Sequence, residues 1–323
     1  MTASLSRRQL AFTAGAAAWP VAASAQAYPN GPIRMIVPYV AGGNSDVVAR
    51  RIAAKLGERL GVPVVVENRT GAGGAIGTET VVRAAPDGQT LLFHSAAVAI
   101  EPSMRNDLSY NVREDLVPIT QIAETPFAFL VNNTVPARTI PEFIVYAKAN
   151  PGKLNFGTPG AASSVHLSIE WFCKVAGIEM VHVPYRGAAP TLLALTANEI
   201  QLVLDAVSTA KPHATSGMSR ALAVASAQRS TAWPELPTVK ETGVDYSISI
   251  WHGFFAPART SPTIAARLNT EIRGVMEDAE MKRWSEQLGL QVTTSPDPAA
   301  FRAFFLNEIN RWAEIVRQTG VQG

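Results

Sequence analysis

Ile33-Arg34-Met35-Ile36-Val37-Pro38-Tyr39-Val40-Ala41-Gly42-Gly43-Asn44-Ser45-Asp46 decides the fold. Ile33 to Pro38 is an apolar run of strand type. A glycine pair follows, and Asn44, Ser45 or Asp46 can cap the start of a helix. Val48, Ile52, Leu56 and Leu60 then recur every fourth residue, which predicts a helix over 44–60 with one buried stripe. Strand, glycine turn and helix in direct succession open an α/β unit.

The pattern continues along the chain. Pro63 to Glu67 reads as a second strand, leading through Gly71-Ala72-Gly73-Gly74 into another helix, and Thr90 to His94 as a third. A second set begins with strand Pro126 to Val131 and helix Ile140 to Ala149, stopped by Asn150-Pro151-Gly152. Strand Leu154 to Gly157, helix Ser164 to Ala176, strand Met180 to Val183 and helix Ala189 to Thr196 come next. Strands Leu202 to Asp205 and Ala221 to Ala225 close that set. Two amphipathic helices near the end start at Ser261-Pro262 and stop before Gly320. Strands alternating with helices predict parallel sheets flanked by helices. The expected organisation is two α/β lobes. The first is discontinuous, 28–124 plus 249–323, and the second, 125–248, is inserted into it. Two crossing segments, near Glu124-Thr125 and Ser247 to Trp251, form the hinge.

Composition agrees with this size. The chain has 323 residues, 47% of them hydrophobic, enough for about two domains. Among its 28 basic residues, Arg7 and Arg8 lie in a segment expected to be removed, which balances the rest against 26 acidic residues. With no basic block or stripe, nucleic acid is not an expected partner.

Residues 1–27 read as an export signal. Arg7 and Arg8 form the basic part, Leu10 to Ala23 the apolar part, and Ala23-Ser24-Ala25 or Ala25-Gln26-Ala27 the cleavage site. The paired arginines fit twin-arginine export, and Sec export fits equally. The expected location is therefore the periplasm. The single cysteine, Cys173, allows no intrachain disulfide, and none stands at the cleavage site to carry a lipid. A monomer is expected.

Three turns between a strand and a helix combine small and hydroxyl residues. They are Pro38 to Asp46, Gly160-Ala161-Ala162-Ser163-Ser164-Val165-His166, and Val183-Pro184-Tyr185-Arg186-Gly187-Ala188-Ala189-Pro190. Helix N-termini expose unpaired N–H groups and partial positive charge, and glycine lets backbone approach an anion closely. In open α/β sheets this is where ligands bind. Each turn also has a plain structural reading as turn chemistry. Asp46 either caps its helix or meets a ligand amine. Arg186 either pairs with a distal carboxylate or is solvated.

Other chemistry is not supported. In Gly71 to Gly77 the third glycine of a dinucleotide loop would fall at Ile76, and close helix packing accounts for the glycines instead. The histidines at 94, 166, 182, 213 and 252 lack metal spacing, and Cys173 on an apolar helix reads as a buried thiol. Gly-x-Ser-x-Gly is absent. No enzyme activity, cofactor or metal is expected.

These segments, in order, resemble the Bug-type receptors of tripartite tricarboxylate transporters. The matching stretches include Tyr28-Pro29, the Pro38 to Asp46 turn, Val65-Val66-Glu67-Asn68-Arg69 with Gly71-Ala72-Gly73-Gly74, and Ala85-Pro86-Asp87-Gly88. Further on are Asn150-Pro151-Gly152-Lys153-Leu154-Asn155, the Gly160 to Leu167 turn, His182-Val183-Pro184-Tyr185-Arg186-Gly187, Arg220 to Val224 and Leu236-Pro237-Thr238-Val239. The resemblance implies a two-lobed type II periplasmic binding fold. It also implies a solute receptor for di- or tricarboxylates, acidic amino acids or aromatic acids, which delivers its ligand to membrane permease subunits. A receptor that feeds a signalling system is the alternative, and an exported hydrolase a third. Carried over residue by residue, the resemblance places the ligand carboxylate on backbone amides and hydroxyls of Val40, Ala41, Gly42, Gly43, Asn44, Ser45, Ser163, Ser164 and His166. Ser95, Asp205 and Ser208 would line the rest of the pocket. Asp205 beside a carboxylate would need a donor or water as partner. The chain departs from the family at Ala162, at Ala206 and at Thr196-Ala197-Asn198-Glu199, so no relative's ligand transfers directly.

Overall fold

The computed structural model describes residues 28–161 and 163–322; the segment expected to serve export, residues 1–27, lies outside them. The strands are β1 (Ile33–Val37), β2 (Val64–Asn68), β3 (Thr90–Ser95), β4 (Leu116–Thr125), β5 (Phe127–Val131), β6 (Asn155–Thr158), β7 (Val181–Pro184), β8 (Leu202–Ala206), β9 (Arg220–Val224), β10 (Ile250–Pro257) and β11 (Gln291–Val292). The helices are α1 (Asn44–Leu60), α2 (Ala75–Val82), α3 (Ala97–Met104), α4 (Val112–Asp115), α5 (Ile140–Lys148), α6 (Ser164–Ala176), α7 (Ala188–Thr196), α8 (Val207–Thr215), α9 (Pro262–Met276), α10 (Ala279–Gln287) and α11 (Pro298–Thr319). None of the described helices is long and apolar enough to cross a membrane.

Two sheets build the two lobes. The first has the order β11-β4-β10-β3-β1-β2 and the second β7-β6-β8-β5-β9. The sheets are mixed, not wholly parallel as the alternation of elements predicts. β1 pairs in parallel with β2 and β3, and β6 with β7 and β8. β10 runs antiparallel between β3 and β4, and β5 antiparallel between β8 and β9. The physical reason lies in the crossings. Only Pro126 separates β4 in the first sheet from β5 in the second, so the chain runs straight from one lobe into the other, and the strands that carry the crossings run against their neighbours. The return path enters β10 at Ile250, which pairs directly with Thr125. The two crossings therefore lie side by side.

Local chemistry sets several helix ends. Ser163 caps α6, its hydroxyl accepting the His166 N–H, and Gly177 in left-handed conformation ends it. Ser261 caps α9 ahead of Pro262; Asp297 caps α11 ahead of Pro298, and left-handed Gly320 ends it.

One apolar core fills the space between α1, α9 and the first sheet, around Ile52, Leu56, Phe93, Phe254 and Leu268. A smaller one, around Leu130, Leu195, Ile200 and Val203, lies against the second sheet. The largest core is shared by both lobes. Phe255, Phe301, Phe305 and Trp312 join Phe129, Phe156 and Phe172, because α11 packs on α3 and β4 and also on α6. Cys173 is buried in this core, and burial pushes its thiol up to about 12, which fits an inert structural residue.

Candidate functional site

A cavity of about 470 Å³ opens between the lobes. Tyr39, Ala72, Gly73 and Ser95 contribute to one side of it. α3 supplies most of that wall with Ala97, Ile100, Glu101 and Met104, spaced i, i+3, i+4 and i+7, and Arg105 follows. The opposing wall is Ala161, Ser163 and Ser164, from the turn into α6. Sidedness thus comes from three strand ends of one sheet and one helix start of the other lobe.

The α6 wall is suited to an anion. The Ser163 hydroxyl accepts the His166 N–H at 3.2 Å and donates to Gly160 O at 2.8 Å, fixing the turn. First-turn amides of a helix have no partner within it, and they carry the positive end of the helix dipole. A carboxylate in the cavity beside Ser163 and Ser164 meets that positive end.

A buried polar chain stands on the other side. The Tyr39 hydroxyl lies 2.5 Å from Ser95 Oγ and 3.1 Å from His94 Nδ1. Burial pushes the Tyr39 phenol up to about 12, so it remains a neutral hydroxyl. His94 Nε2 is 3.2 Å from Glu101 Oε1, and the Tyr110 hydroxyl donates to Glu101 Oε2 at 2.8 Å. Gly74 lies over this pair at φ +117°; a Cβ there would stand 2.7 Å from His94 Nε2. Close packing of α2 explains Gly77, whose added Cβ would sit 2.8 Å from Pro38 Cβ, and Gly74 serves the polar chain.

The residues singled out from sequence fall into separate places. Of the first turn, Tyr39 lines the cavity, whereas Val40, Ala41 and Gly42 are exposed beside it and Gly43 and Ser45 half-buried. Asn44 is the first residue of α1, whose N-cap is Gly43. Asp46 is 2% exposed and supports the turn from within. It accepts the Gly42 N–H at 2.8 Å, Arg50 Nε at 2.9 Å and Asn68 Nδ2 at 2.8 Å. The Arg50 guanidinium is the main reason its carboxyl is held down to about 2. Ser95, Ser163 and Ser164 line the cavity, and Gly160 anchors the turn beneath them. Ala162 lies outside the described residues.

The others are elsewhere. His166 stacks on His182 with ring centroids 3.7 Å apart and is 3.5 Å from Glu170, away from the cavity lining. Tyr185 packs beside Gly157, its hydroxyl donating to Glu199 Oε2 at 3.4 Å, and Arg186 is exposed. Asp205 lines a separate cavity of about 220 Å³ in the second lobe and accepts from Thr209 Oγ1 at 2.6 Å; burial raises its carboxyl. Ser208 lies where the lobes touch, so close to Gly289 that a Cβ there would sit 2.6 Å from Ser208 Cβ. Asp205 lies in β8 and Ser208 in α8 directly after it, yet they face different spaces and neither joins Ser95.

Glu101, Ile100 and Met104 escape a reading guided by glycine turns. The signal available for them is the apolar i, i+3, i+7 spacing of Ala97, Ile100 and Met104 directly after Ser95, with Glu101 at i+4 on the same face.

Comparison with known proteins adds the following. The family model of the tripartite tricarboxylate transporter family receptor matches residues 48–321. Protein BugT of Bordetella pertussis is 38% identical over 314 residues, spanning 96% of this chain and 95% of BugT. The solved structure of the periplasmic binding protein BugD gives a TM-score of 0.74 at 33% identity, covering 91% of this chain and 99% of BugD. An R. palustris protein solved with adipate gives a TM-score of 0.77 at 29% identity, covering 91% of this chain and 99% of that one.

Proposed function

The chain belongs to the tripartite tricarboxylate transporter receptor family, and from that premise we propose that it captures a small carboxylate between its lobes in the periplasm and delivers it to the permease subunits of such a transporter. It is a binding protein and not an enzyme, like the family and the structural neighbours. The lobes are 28–124 with 249–323, and 125–248, and closure turns on the paired crossings at Thr125 and Ile250. Residues 1–27 act as the export signal and are removed.

One observation carries this reading: the interlobe cavity places the N-terminus of α6 opposite a wall built by the other lobe. In this reading Ser163 and Ser164 with the α6 amides hold the ligand carboxylate, and Tyr39 and Ser95 bind from across the cleft. The Val40 to Ser45 turn, next to Tyr39, comes onto the ligand as the lobes close. A ligand touching both lobes favours the closed state by its differential affinity.

A thermal-shift screen of the exported protein against small carboxylates tests the proposal. A true ligand at about 100-fold above Kd stabilises by about 2.7 kcal/mol. Absence of a shift across a panel of linear, branched and aromatic carboxylates would overturn it.

A further inference from the structure

The α3 wall of the cleft carries a carboxylate that anion binding alone does not explain. Glu101 lines the cavity and is only 5% exposed. Its Oε2 accepts from the Tyr110 hydroxyl at 2.8 Å, and its Oε1 faces His94 Nε2 at 3.2 Å. His94 Nδ1 accepts the Ser95 N–H at 2.9 Å, so the ring proton resides on Nε2 and points at Glu101. Both carboxylate oxygens thus face hydrogen-bond donors.

Arg105, just beyond α3, is engaged elsewhere. Its Nε and Nη2 donate to Asp107 at 2.9 and 2.7 Å, and its Nη1 to Ala72 O at 3.0 Å. Gly74 holds the glycine loop over the pair, since a Cβ there would also stand 3.0 Å from Glu101 Oε1. Ala97, Ile100 and Met104 surround the carboxylate with apolar surface. The wall is therefore apolar surface around the buried Glu101 carboxylate, with the Arg105 guanidinium at its edge bonded to Asp107.

Resting on the receptor reading above, we propose that this cleft selects a monocarboxylate with an apolar body and turns away di- and tricarboxylates. The ligand carboxylate lies at the α6 N-terminus. Its far end, uncharged or carrying a hydrogen-bond donor, lies against Glu101. A second carboxylate at that end would be brought against the Glu101 carboxylate between apolar side chains, where like groups repel strongly. An amino, amide or hydroxyl end would donate to a lone pair of Glu101 left unused by His94 and Tyr110. Exclusion by an unfavourable charge is how a binding site discriminates between ligands of similar size.

Two ligand series test this by titration calorimetry on the exported protein. Caproate, ε-aminocaproate and adipate share a chain and differ at the far end; benzoate, para-aminobenzoate and terephthalate do so on a ring. In whichever series binds, the monocarboxylates should bind at least about tenfold tighter than the diacid. E101Q should narrow that gap about tenfold by strengthening diacid binding. A diacid bound as tightly as its monocarboxylate partner overturns the proposal and leaves the receptor reading standing. Silence from both series overturns the carboxylate reading with it. Should E101Q not fold, the ranking of the native protein still decides.

Discussion

The indole N–H of Trp251 donates to Glu308 Oε2 at 2.9 Å, so the strand that returns into the first sheet is tied to the last helix. The same oxygen accepts the Trp312 indole N–H at 3.2 Å, and all three residues are buried. Arg311 adds a contact to Glu308 Oε1 at 3.3 Å and another to Ser247 O, gripping the crossing itself. Removing Glu308 would leave two buried donors unpaired, each worth about 1–3 kcal/mol. Glu308→Ala should therefore lose about 2–6 kcal/mol in urea unfolding, and Glu308→Gln, which keeps one acceptor oxygen, distinctly less. Equal losses for the two variants would show that the hydrogen bonds are not the source.

Binding across the cleft can be divided between backbone and side chains. Ser164→Ala removes one hydroxyl beside the α6 amides and should weaken a bound carboxylate by about 1–3 kcal/mol, and Tyr39→Phe by a similar amount. Calorimetry on each single variant and on the double variant checks this. Additive losses are expected, because the two hydroxyls belong to different lobes and share no partner. If neither variant changes Kd, the ligand occupies another space, with the Asp205 cavity the first to probe.

Two neighbouring glycines separate backbone strain from steric conflict. Gly73 and Gly74 both have positive φ, +71° and +117°, but an added Cβ meets nothing within 4 Å at Gly73 and His94 Nε2 at 2.7 Å at Gly74. Gly73→Ala should cost about 1–2 kcal/mol, the ordinary left-handed penalty. Gly74→Ala must also displace the His94–Glu101 pair, and thermal melting should show a clearly larger loss. Equal melting temperatures would show that the loop yields without disturbing the pair.

Acid should weaken the fold before its carboxylates protonate. Burial, with His166 beside it, pushes His182 from 6.5 to about 4, and burial, with His94 near, does the same to His252. Both rings bind protons more readily in the unfolded chain. Their contribution to stability is complete above 6.5 and is lost as pH falls towards about 4. Unfolding free energy measured by urea should decline across that window. In His182→Gln the decline should be shallower; an unchanged slope would exclude His182 as a source.

Local signals were the legible part of this chain. α6 spans Ser164–Ala176 as its cap and its terminal glycine require, because Ser163 and Gly177 act within one turn of the helix. β4 and β10 were not legible as strands. β10 is buried on both faces, so Ile250–Pro257 shows no alternation, and β4 carries Pro118 and polar Thr120 and Gln121 inside it. Their antiparallel placement depends on partners more than a hundred positions apart in the chain. For the site, the serine turn into α6 was readable, whereas α3 was not, since Pro102 interrupts an eight-residue helix. Asp205 and Ser208 were displaced because a strand end does not reveal which way successive side chains turn.

The position of β10 bears on how the chain can be made. It pairs with both β3 and β4, in the middle of the first sheet. It is nevertheless synthesised after every residue of the second sheet. A nascent chain shorter than Ile250 therefore has a gap at the centre of its first lobe, and α11, which closes the shared core, emerges later still. The inserted lobe is contiguous and can condense early. The other lobe is complete only once the C-terminal strand and helix have been made, so its core is the last part of the molecule to close.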